Sequence, residues 1–365
     1  MLPLSDIHHM RHALRLAERA LGQTAPNPAV GCIIVSSDRR IVGRGWTGRG
    51  GRPHAETIAL AQAGDAARGA TAYVTLEPCA HHGKTPPCAD ALIEAGIARV
   101  VAATGDPDPR VSGAGLERLR ARGVEVASDV LKNEAAELNA GFFLRVRESR
   151  PLVRLKIAAS ADGRTASAGG DSHWITGNEA RRFGHLLRAR HDAVLIGVET
   201  ALADDPLLTC RLAGLEEHSP VRIVLDSHQR LPTSSKLVRT AQEIPTWLFS
   251  AGEGREELRA RGVEIFPVGR DARGRLDIAA VLRTLGDRGI TRLLVEGGAG
   301  VHASFINRGL ADRLEIFAAP LLLGAAGHPA IDALAALGLE EAPRFVRTGT
   351  RHPGPDRLES FRASH

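Results

Sequence analysis

The sequence predicts an α/β protein made of two successive domains, and three observations lead there. Apolar runs of strand length alternate with helix-period stretches through both halves. At 365 residues the chain exceeds one ordinary core and suits two domains of roughly 150 to 200 residues. Between the halves, a charge-rich stretch from Gly141 runs to Pro151, which places the boundary there, with a first domain over 1–147 and a second over 148–365.

In the first half, Ser5 or Asp6 can cap a helix whose apolar positions Met10, Ala13, Leu14, Ala17 and Leu21 keep the helical period until Gly22. Thr24-Ala25-Pro26-Asn27-Pro28 is a stiff loop. Val30 to Val35 and Ile41 to Trp46 predict a hairpin, with turn chemistry at Ser36, Ser37 and Asp38. Pro53 sits where a helix starts, since its fixed φ and missing amide proton suit a first turn, and Ala55 to Ala63 continue to Gly64. Ala70 to Leu76 is a buried strand, and a short helix follows Pro86-Pro87 through Glu94. Strands at 99–103 and 124–127 alternate with helices at 113–122 and 130–139.

The second half repeats the alternation. Strands are expected at 152–159, 193–197, 221–226, 247–250, 263–267, 292–296 and 313–318, and helices at 178–189, 277–285 and 301–307. No internal repeat or low-complexity segment is evident.

Composition narrows the function. Hydrophobic residues make up 43% and charged residues 24%, a globular balance, and no run approaches the ~18 apolar residues of a membrane span. The first residues lack a signal-peptide pattern, so a cytoplasmic, reduced chain is expected, in which Cys serve as thiolates rather than disulfides. The net charge of +5 is spread evenly, with 19 basic against 16 acidic residues up to Arg150 and 28 against 26 after it. Aromatics are 4% of the chain, few for stacking on bases. Neither half is a basic nucleic-acid module, and phosphorylated small molecules explain the positive balance better than polymers.

The strongest chemical signal is Pro53-His54-Ala55-Glu56 read with Glu77-Pro78-Cys79 and Cys88. One His and two Cys make a three-ligand zinc set whose fourth tetrahedral position stays open to water, the arrangement of a catalytic rather than a structural site. A Glu two residues from the His, followed by Pro-Cys and a second Cys, is the zinc-deaminase pattern, in which the Glu shuttles protons and is not a ligand. Mid-helix, residues two apart do not share a face, so His54 and Glu56 can serve one site only if the metal lies beyond the helix end. His81 or His82 as a fourth ligand is the structural-site alternative. Cys32 and Cys210 lack ligand spacing and read as buried thiols; His8, His9 and His12 read as surface residues.

Signals in the second half are weaker. Leu293 to Gly300 is a strand running into a Gly loop and then a helix, where backbone amides can hold a phosphate; a plain strand-to-helix turn is the alternative. It is not the Gly-x-Gly-x-x-Gly dinucleotide fingerprint. Ser160 to Thr165 and Asp204-Asp205-Pro206 are polar loop clusters.

Taken together, these motifs resemble the bifunctional deaminase/reductase of riboflavin biosynthesis over nearly the whole chain. The residues that carry the likeness are Pro26 to Gly31, His54-Ala55-Glu56, Thr75 to Cys88, Leu155 to Thr165, Trp174 to Gly177, Leu202 to Pro206 and Val295 to Gly298. The eight-residue gap between the Cys is specific, since cytidine and tRNA adenosine deaminases usually have two. The resemblance implies a cytidine-deaminase-like α/β/α domain followed by a dihydrofolate-reductase-like α/β domain. The first would deaminate 2,5-diamino-6-(5-phosphoribosylamino)pyrimidin-4-one with one zinc ion. The second would reduce the ribosyl group of the product to ribityl with NADPH.

By matching motif, the resemblance makes His54, Cys79 and Cys88 the zinc ligands and Glu56 the catalytic proton shuttle. Ala159, Trp174, Thr200, Asp204, Ser227 and the loop Gly298, Ala299, Gly300, Val301, His302, Ala303 and Ser304 would contact NADPH. Asn27, Lys156, Ser172, Arg188, Leu208, Arg211 and Glu296 would contact substrate, with Arg188 and Arg211 suited to its phosphate. The resemblance leaves room for a homo-oligomer. Thr47 stands where many members of the family have a substrate-contacting His, which removes an aromatic and ionic contact but no zinc ligand. The competing readings are a nucleic-acid base deaminase with an accessory C-terminal domain, and a noncatalytic zinc scaffold; neither explains the motifs of the second half.

Overall fold

In chain order the first unit holds α1 (Leu4–Ala17), β1 (Gly31–Val35), β2 (Ile41–Trp46), α2 (Ala55–Ala63), β3 (Thr71–Val74), α3 (Cys88–Glu94), β4 (Arg99–Ala102), α4 (Ala114–Ala121), β5 (Glu125–Ala127), α5 (Lys132–Leu138) and α6 (Ala140–Glu148). The computed structural model describes residues 3–81, 86–108, 112–171, 175–335 and 338–364. The chain divides into two compact units, Met1–Ser149 and Arg150–His365. Among the described residues no helix is long and apolar enough to cross a membrane.

The first sheet runs β2-β1-β3-β4-β5, antiparallel at β2-β1-β3 and parallel from β3 to β5. Strand alternation sends Ile33, Tyr73 and Val101 to one face, against Met10 and Ala13 of α1 and Ala135 of α5. Ile34, Val74 and Val100 go to the other, against Ala59 of α2, Leu92 of α3 and Leu119 of α4. Every residue of β1 is therefore buried. Small residues set how closely α2 sits on β2: a Cβ at Gly43 or Gly45 would lie 2.2 or 2.1 Å from the carbonyl oxygens of Ala59 or Ala55.

Two expectations shift here. Pro53 lies ahead of α2 rather than in its first turn, and His54 is the N-cap, with extended backbone (φ −70°, ψ 155°). The charge-rich stretch after Gly141 is mostly helix: α6 buries Phe142 and Phe143 in the core of the first unit, and Ser149, at φ 54°, ends it. Its charges sit on the solvent side, which made an amphipathic helix look like a linker.

The second unit contains β6 (Leu152–Ser160), β7 (Arg164–Ala166), α7 (Asn178–Ala189), β8 (Ala193–Gly197), α8 (Val198–Asp204), β9 (Val221–Leu225), α9 (Lys236–Arg239), β10 (Thr246–Ser250), α10 (Glu256–Arg259), β11 (Val263–Pro267), α11 (Ile278–Asp287), β12 (Arg292–Gly297), α12 (Ala299–Ile306), β13 (Arg313–Ala319), β14 (His328–Pro329), β15 (Phe345–Arg351) and β16 (Arg357–Ala363). Its main sheet has nine strands, β11-β10-β9-β8-β12-β6-β13-β16-β15. From β11 to β13 all neighbours are parallel, and β16 and β15 close the edge antiparallel. Leu155, Leu195, Ile223 and Leu293 face α11 and α12, while Val194, Ile196, Val224 and Leu294 face α8, α9 and α10. This double cover explains the continuous apolar runs of the central strands. Ligands of such sheets bind beyond the carboxyl ends of the strands, which here are Gly197 of β8, Leu225 of β9 and Gly297 of β12.

Candidate functional sites

The N-cap geometry of His54 meets the demand that spacing alone left open. Its extended backbone sets the imidazole beyond the helix end, while Glu56 hangs from the first turn, and both line one cavity of about 120 Å³. Cys79 comes from the loop after β3 and Cys88 is the first residue of α3. The ligand atoms of His54, Cys79 and Cys88 lie within 4.8 Å of one another, with His54 Nδ1 at 3.1 Å from Cys88 Sγ and 3.7 Å from Cys79 Sγ. Tetrahedral zinc with N and S ligands needs edges of ~3.5 Å, from bonds of ~2.1 and ~2.3 Å. The three atoms fit that ion, and among the described residues no other cluster of this kind occurs.

The electrostatics agree with a thiolate site. A hydrogen bond from Cys88 holds Cys79 down to about 4, and the same contact, with burial, pushes the Cys88 thiol up. The backbone amide of Cys88, at the start of α3, also donates to Cys79 Sγ at 3.3 Å. The His54 imidazole is raised chiefly by its hydrogen bond with Cys79. Glu56 is 4% exposed, and burial raises its carboxyl above the ordinary range.

Residues outside the motif hold this arrangement. The Glu77 carboxylate accepts from the amides of Gly113 and Gly115, each at 2.9 Å, so it caps the start of α4 and ties it to the Cys79 loop. Asn139, between α5 and α6, pairs with both the amide and the carbonyl of Ala29 at 2.9 and 3.0 Å, fixing the loop that carries Asn27. Asn27 lines the cavity and donates to Gly50 O at 3.3 Å. Thr47 is buried in the same wall, where its hydroxyl accepts from Val30 N at 2.9 Å; in place of a charged ring it supplies a backbone anchor. His81 lines the cavity outside the three-atom cluster, and His82 lies outside the described residues. Sequence reasoning quoted Glu77 without a role and missed Asn139, whose partner is 110 residues away.

In the second unit, Lys156 of β6, Arg188 of α7, Arg211 and Glu296 of β12 line one pocket of about 170 Å³ with His185 and Phe317. Arg188 grips Glu296 bidentately, Nε to Oε1 at 2.6 Å and Nη2 to Oε2 at 2.8 Å, and Lys156 Nζ lies 3.9 Å from Oε2. Burial alone would raise Glu296, but Arg188 and then Lys156 bring it down to about 2. Burial lowers Lys156 from its ordinary value. Since Glu296 occupies the Arg188 fork, Arg211, exposed at the pocket rim, is the freer of the two arginines for a phosphate. The Leu208 side chain is 3% exposed, packs in the core and does not line this pocket, and Ser172 lies outside the described residues.

A second cavity of about 440 Å³ runs along the carboxyl ends of β8, β9 and β12 and gathers Thr200, Ser227, Gly298, Ala299, Gly300, Val301 and Ser304. Thr200 presses so closely that a Cβ at Gly297 would lie 2.9 Å from it, and Gly298 adopts φ +87°. The N-cap of α12 is Gly298, which has no side chain to cap it, and no acidic residue occupies the first turn, so its amides suit a diphosphate. Ala159 and Asp204 do not line this cavity, and His302 and Ala303 face the core, His302 Nδ1 donating to Ala330 O at 3.2 Å. Trp174 lies outside the described residues. The cavity also contains Glu199, Arg230 and Arg275, which nothing in the sequence singled out.

A zinc-type deaminase centre in one unit, and a cavity at the carboxyl ends of β8, β9 and β12 with a charged pocket in the other, define a two-headed deaminase and reductase. Comparison with known proteins gives the same class. Residues 4–104 match the cytidine and deoxycytidylate deaminase zinc-binding region, and residues 151–352 match the RibD C-terminal domain. The riboflavin biosynthesis protein RibD of Escherichia coli is 43% identical over 97% of this chain and 98% of its own length, and that of Aquifex aeolicus 44% over 87% and 88%. The solved RibD of Acinetobacter baumannii superposes with a TM-score of 0.90 at 38% identity, covering 99% of each chain. The deaminase/reductase of Thermotoga maritima gives 0.88 at 35% identity, again over 99% of each. The chain belongs to the RibD family of bifunctional riboflavin-biosynthesis enzymes, with a cytidine-deaminase-like first unit and a dihydrofolate-reductase-like second. Zinc serves the first and NADPH the second.

Proposed function

We propose that the first unit hydrolytically deaminates 2,5-diamino-6-(5-phosphoribosylamino)pyrimidin-4-one and that the second reduces the ribosyl group of the resulting 5-amino-6-(5-phosphoribosylamino)uracil to ribityl. The observation that carries this reading is the convergence of His54, Cys79 and Cys88 with Glu56 in one cavity. Zinc, when bound, supplies a Lewis acid that lowers the pKa of water toward ~7. His54, Cys79 and Cys88 hold it, and Glu56 moves a proton from the attacking water to the departing amine. Asn27 and the surrounding wall orient the pyrimidine ring.

In the second unit Lys156, Arg188 and Glu296 hold the sugar and Arg211 its phosphate, while the amides of α12 anchor the diphosphate of NADPH. The first activity is assigned to 1–147 and the second to 148–365. The even charge distribution and sparse aromatics favour small substrates over nucleic acid, and a cytoplasmic location, with room for a homo-oligomer, suits these cofactors. The test is to incubate the purified chain with the diaminopyrimidine and NADPH, following ammonia and NADPH absorbance together. Both should change in sequence; ammonia release without NADPH loss removes the reductase half.

A further inference from the structure

The charged pocket of the second unit holds an imidazole that no motif singled out. His185 lines it together with Lys156, Arg188, Arg211 and Glu296. It stands three residues before Arg188 on α7, so both share a helix face, and both reach the loop at 208–211. Arg188 Nη1 donates to Thr209 O at 3.0 Å, and His185 Nδ1 lies 3.1 Å from that carbonyl and 3.3 Å from the amide of Arg211. The loop is held from its other side as well. Leu208 takes φ 54°, Cys210 is 2% exposed, and the Cys210 amide donates to Ser219 Oγ at 3.1 Å. Arg211 is therefore delivered to the pocket rim by a fixed backbone.

Nδ1 cannot serve both backbone groups, because a neutral imidazole nitrogen is either a donor or an acceptor. The Thr209 carbonyl already accepts from Arg188, whereas the Arg211 amide meets no other acceptor among the described residues. A protonated Nδ1 would set N–H against N–H and leave that amide unpaired. Nδ1 is then bare, and the ring proton sits on Nε2. Burial first, and then Arg188 and Arg211, lower the imidazole from its ordinary value, which keeps the neutral form near pH 7. Nε2 makes no hydrogen bond among the described residues and does not belong to their buried polar atoms without a partner, so it opens on the pocket.

We infer that His185 is a specificity-determining residue of the reduction: fixed as the Nε2–H tautomer by the Arg211 amide, it donates to the phosphate of the substrate beside the Arg211 guanidinium. The inference rests on the reductase reading of this pocket. Glu296, gripped by Arg188, gives the pocket a carboxylate acceptor for sugar hydroxyls. His185 Nε2 and Arg211 offer donors only, which match the acceptor oxygens of a phosphate. A neutral donor adds direction to that contact without a further positive charge beside Arg188 and Arg211.

The test joins binding without turnover to steady-state reduction, both on the full chain. His185→Leu should weaken ribose 5-phosphate in calorimetry by roughly 10-fold and raise KM for 5-amino-6-(5-phosphoribosylamino)uracil by a similar factor, with kcat and the KM for NADPH much less affected. His185→Gln should recover most of the loss, since its amide accepts from Arg211 N–H and still donates. The nitrogen-15 spectrum of the wild type should place the His185 ring proton on Nε2, with a signal that moves when ribose 5-phosphate is added. A proton on Nδ1 would overturn the inference. So would equal KM increases for the substrate and its dephosphorylated form, which would give Nε2 to the sugar, or a loss of kcat at unchanged KM, which would make His185 a packing residue. A wild-type chain that binds ribose 5-phosphate but reduces nothing defeats the reductase reading, whereas an affinity indifferent to His185 defeats this inference alone.

Discussion

Replacing Glu56 by Gln separates chemistry from architecture in the first unit. Glu56 is 4% exposed in the first turn of α2, within the cavity that also holds His54 and Cys79. Gln keeps its volume and hydrogen-bonding reach, so the change opens no void and leaves His54, Cys79 and Cys88 in place. What is lost is a group able to take and return a proton. General acid-base catalysis of this kind is worth roughly 10² to 10⁴ in rate, or about 2.7 to 5.5 kcal/mol of barrier. The variant should therefore release ammonia at least ~10²-fold more slowly, while zinc measured by elemental analysis stays near one per chain. Because the second site is built from Arg150–His365 alone, supplied 5-amino-6-(5-phosphoribosylamino)uracil should be reduced at close to the wild-type rate. Normal deamination by Glu56→Gln would refute the proton-shuttle role, and loss of reduction would refute the independence of the two sites.

Other expectations follow from neighbouring contacts. Cys88→Ala leaves two of the three residues proposed to hold zinc, so zinc content and deamination should fall together; retained metal counts against the ligand set. Arg188→Ala strands Glu296, whose side chain is 7% exposed, without its bidentate partner. Breaking such a pair costs about 3 to 5 kcal/mol, and a drop in melting temperature of the second unit should accompany loss of reduction, with zinc unaffected. His191 is buried, donates from Nδ1 to Leu187 O at 2.6 Å and is held neutral, first by burial and then by Arg292 and Arg154. Its folded pKa lies well below its unfolded value of about 6.5, so below that pH the unfolded chain binds more protons and stability falls, by up to ~1.4 kcal/mol per pH unit for this group. His191→Gln should flatten the decline in melting temperature between pH 7 and 5, and an unchanged slope would place the sensitivity elsewhere.

The sequence by itself determined the chemistry that depends on residue type at short spacing. His54, Glu56, Cys79 and Cys88 lie close enough in the chain to declare a zinc deaminase, and the apolar runs of β1, β8, β10 and β12 announce strands covered on both faces. Where burial and period disagree, the sequence was silent or misleading. The hairpin β15–β16 is largely exposed on β15, so it lacks the apolar alternation that marks a strand, and α6 resembled a linker because its charges outnumber its two buried Phe. Tertiary structure alone decided the pairings whose members are far apart in the chain. Arg188 meets Glu296 across 108 residues and Asn139 meets Ala29 across 110, and nothing local to either partner specifies the other. His185 is one more polar residue of α7 until packing brings Thr209 and Arg211, 24 and 26 residues further on, to its Nδ1. The N-cap position of His54 belongs here as well: it depends on where α2 can rest against Gly43 and Gly45 of β2, and that contact, rather than the spacing of the motif, aims a His and a Glu two residues apart into one cavity.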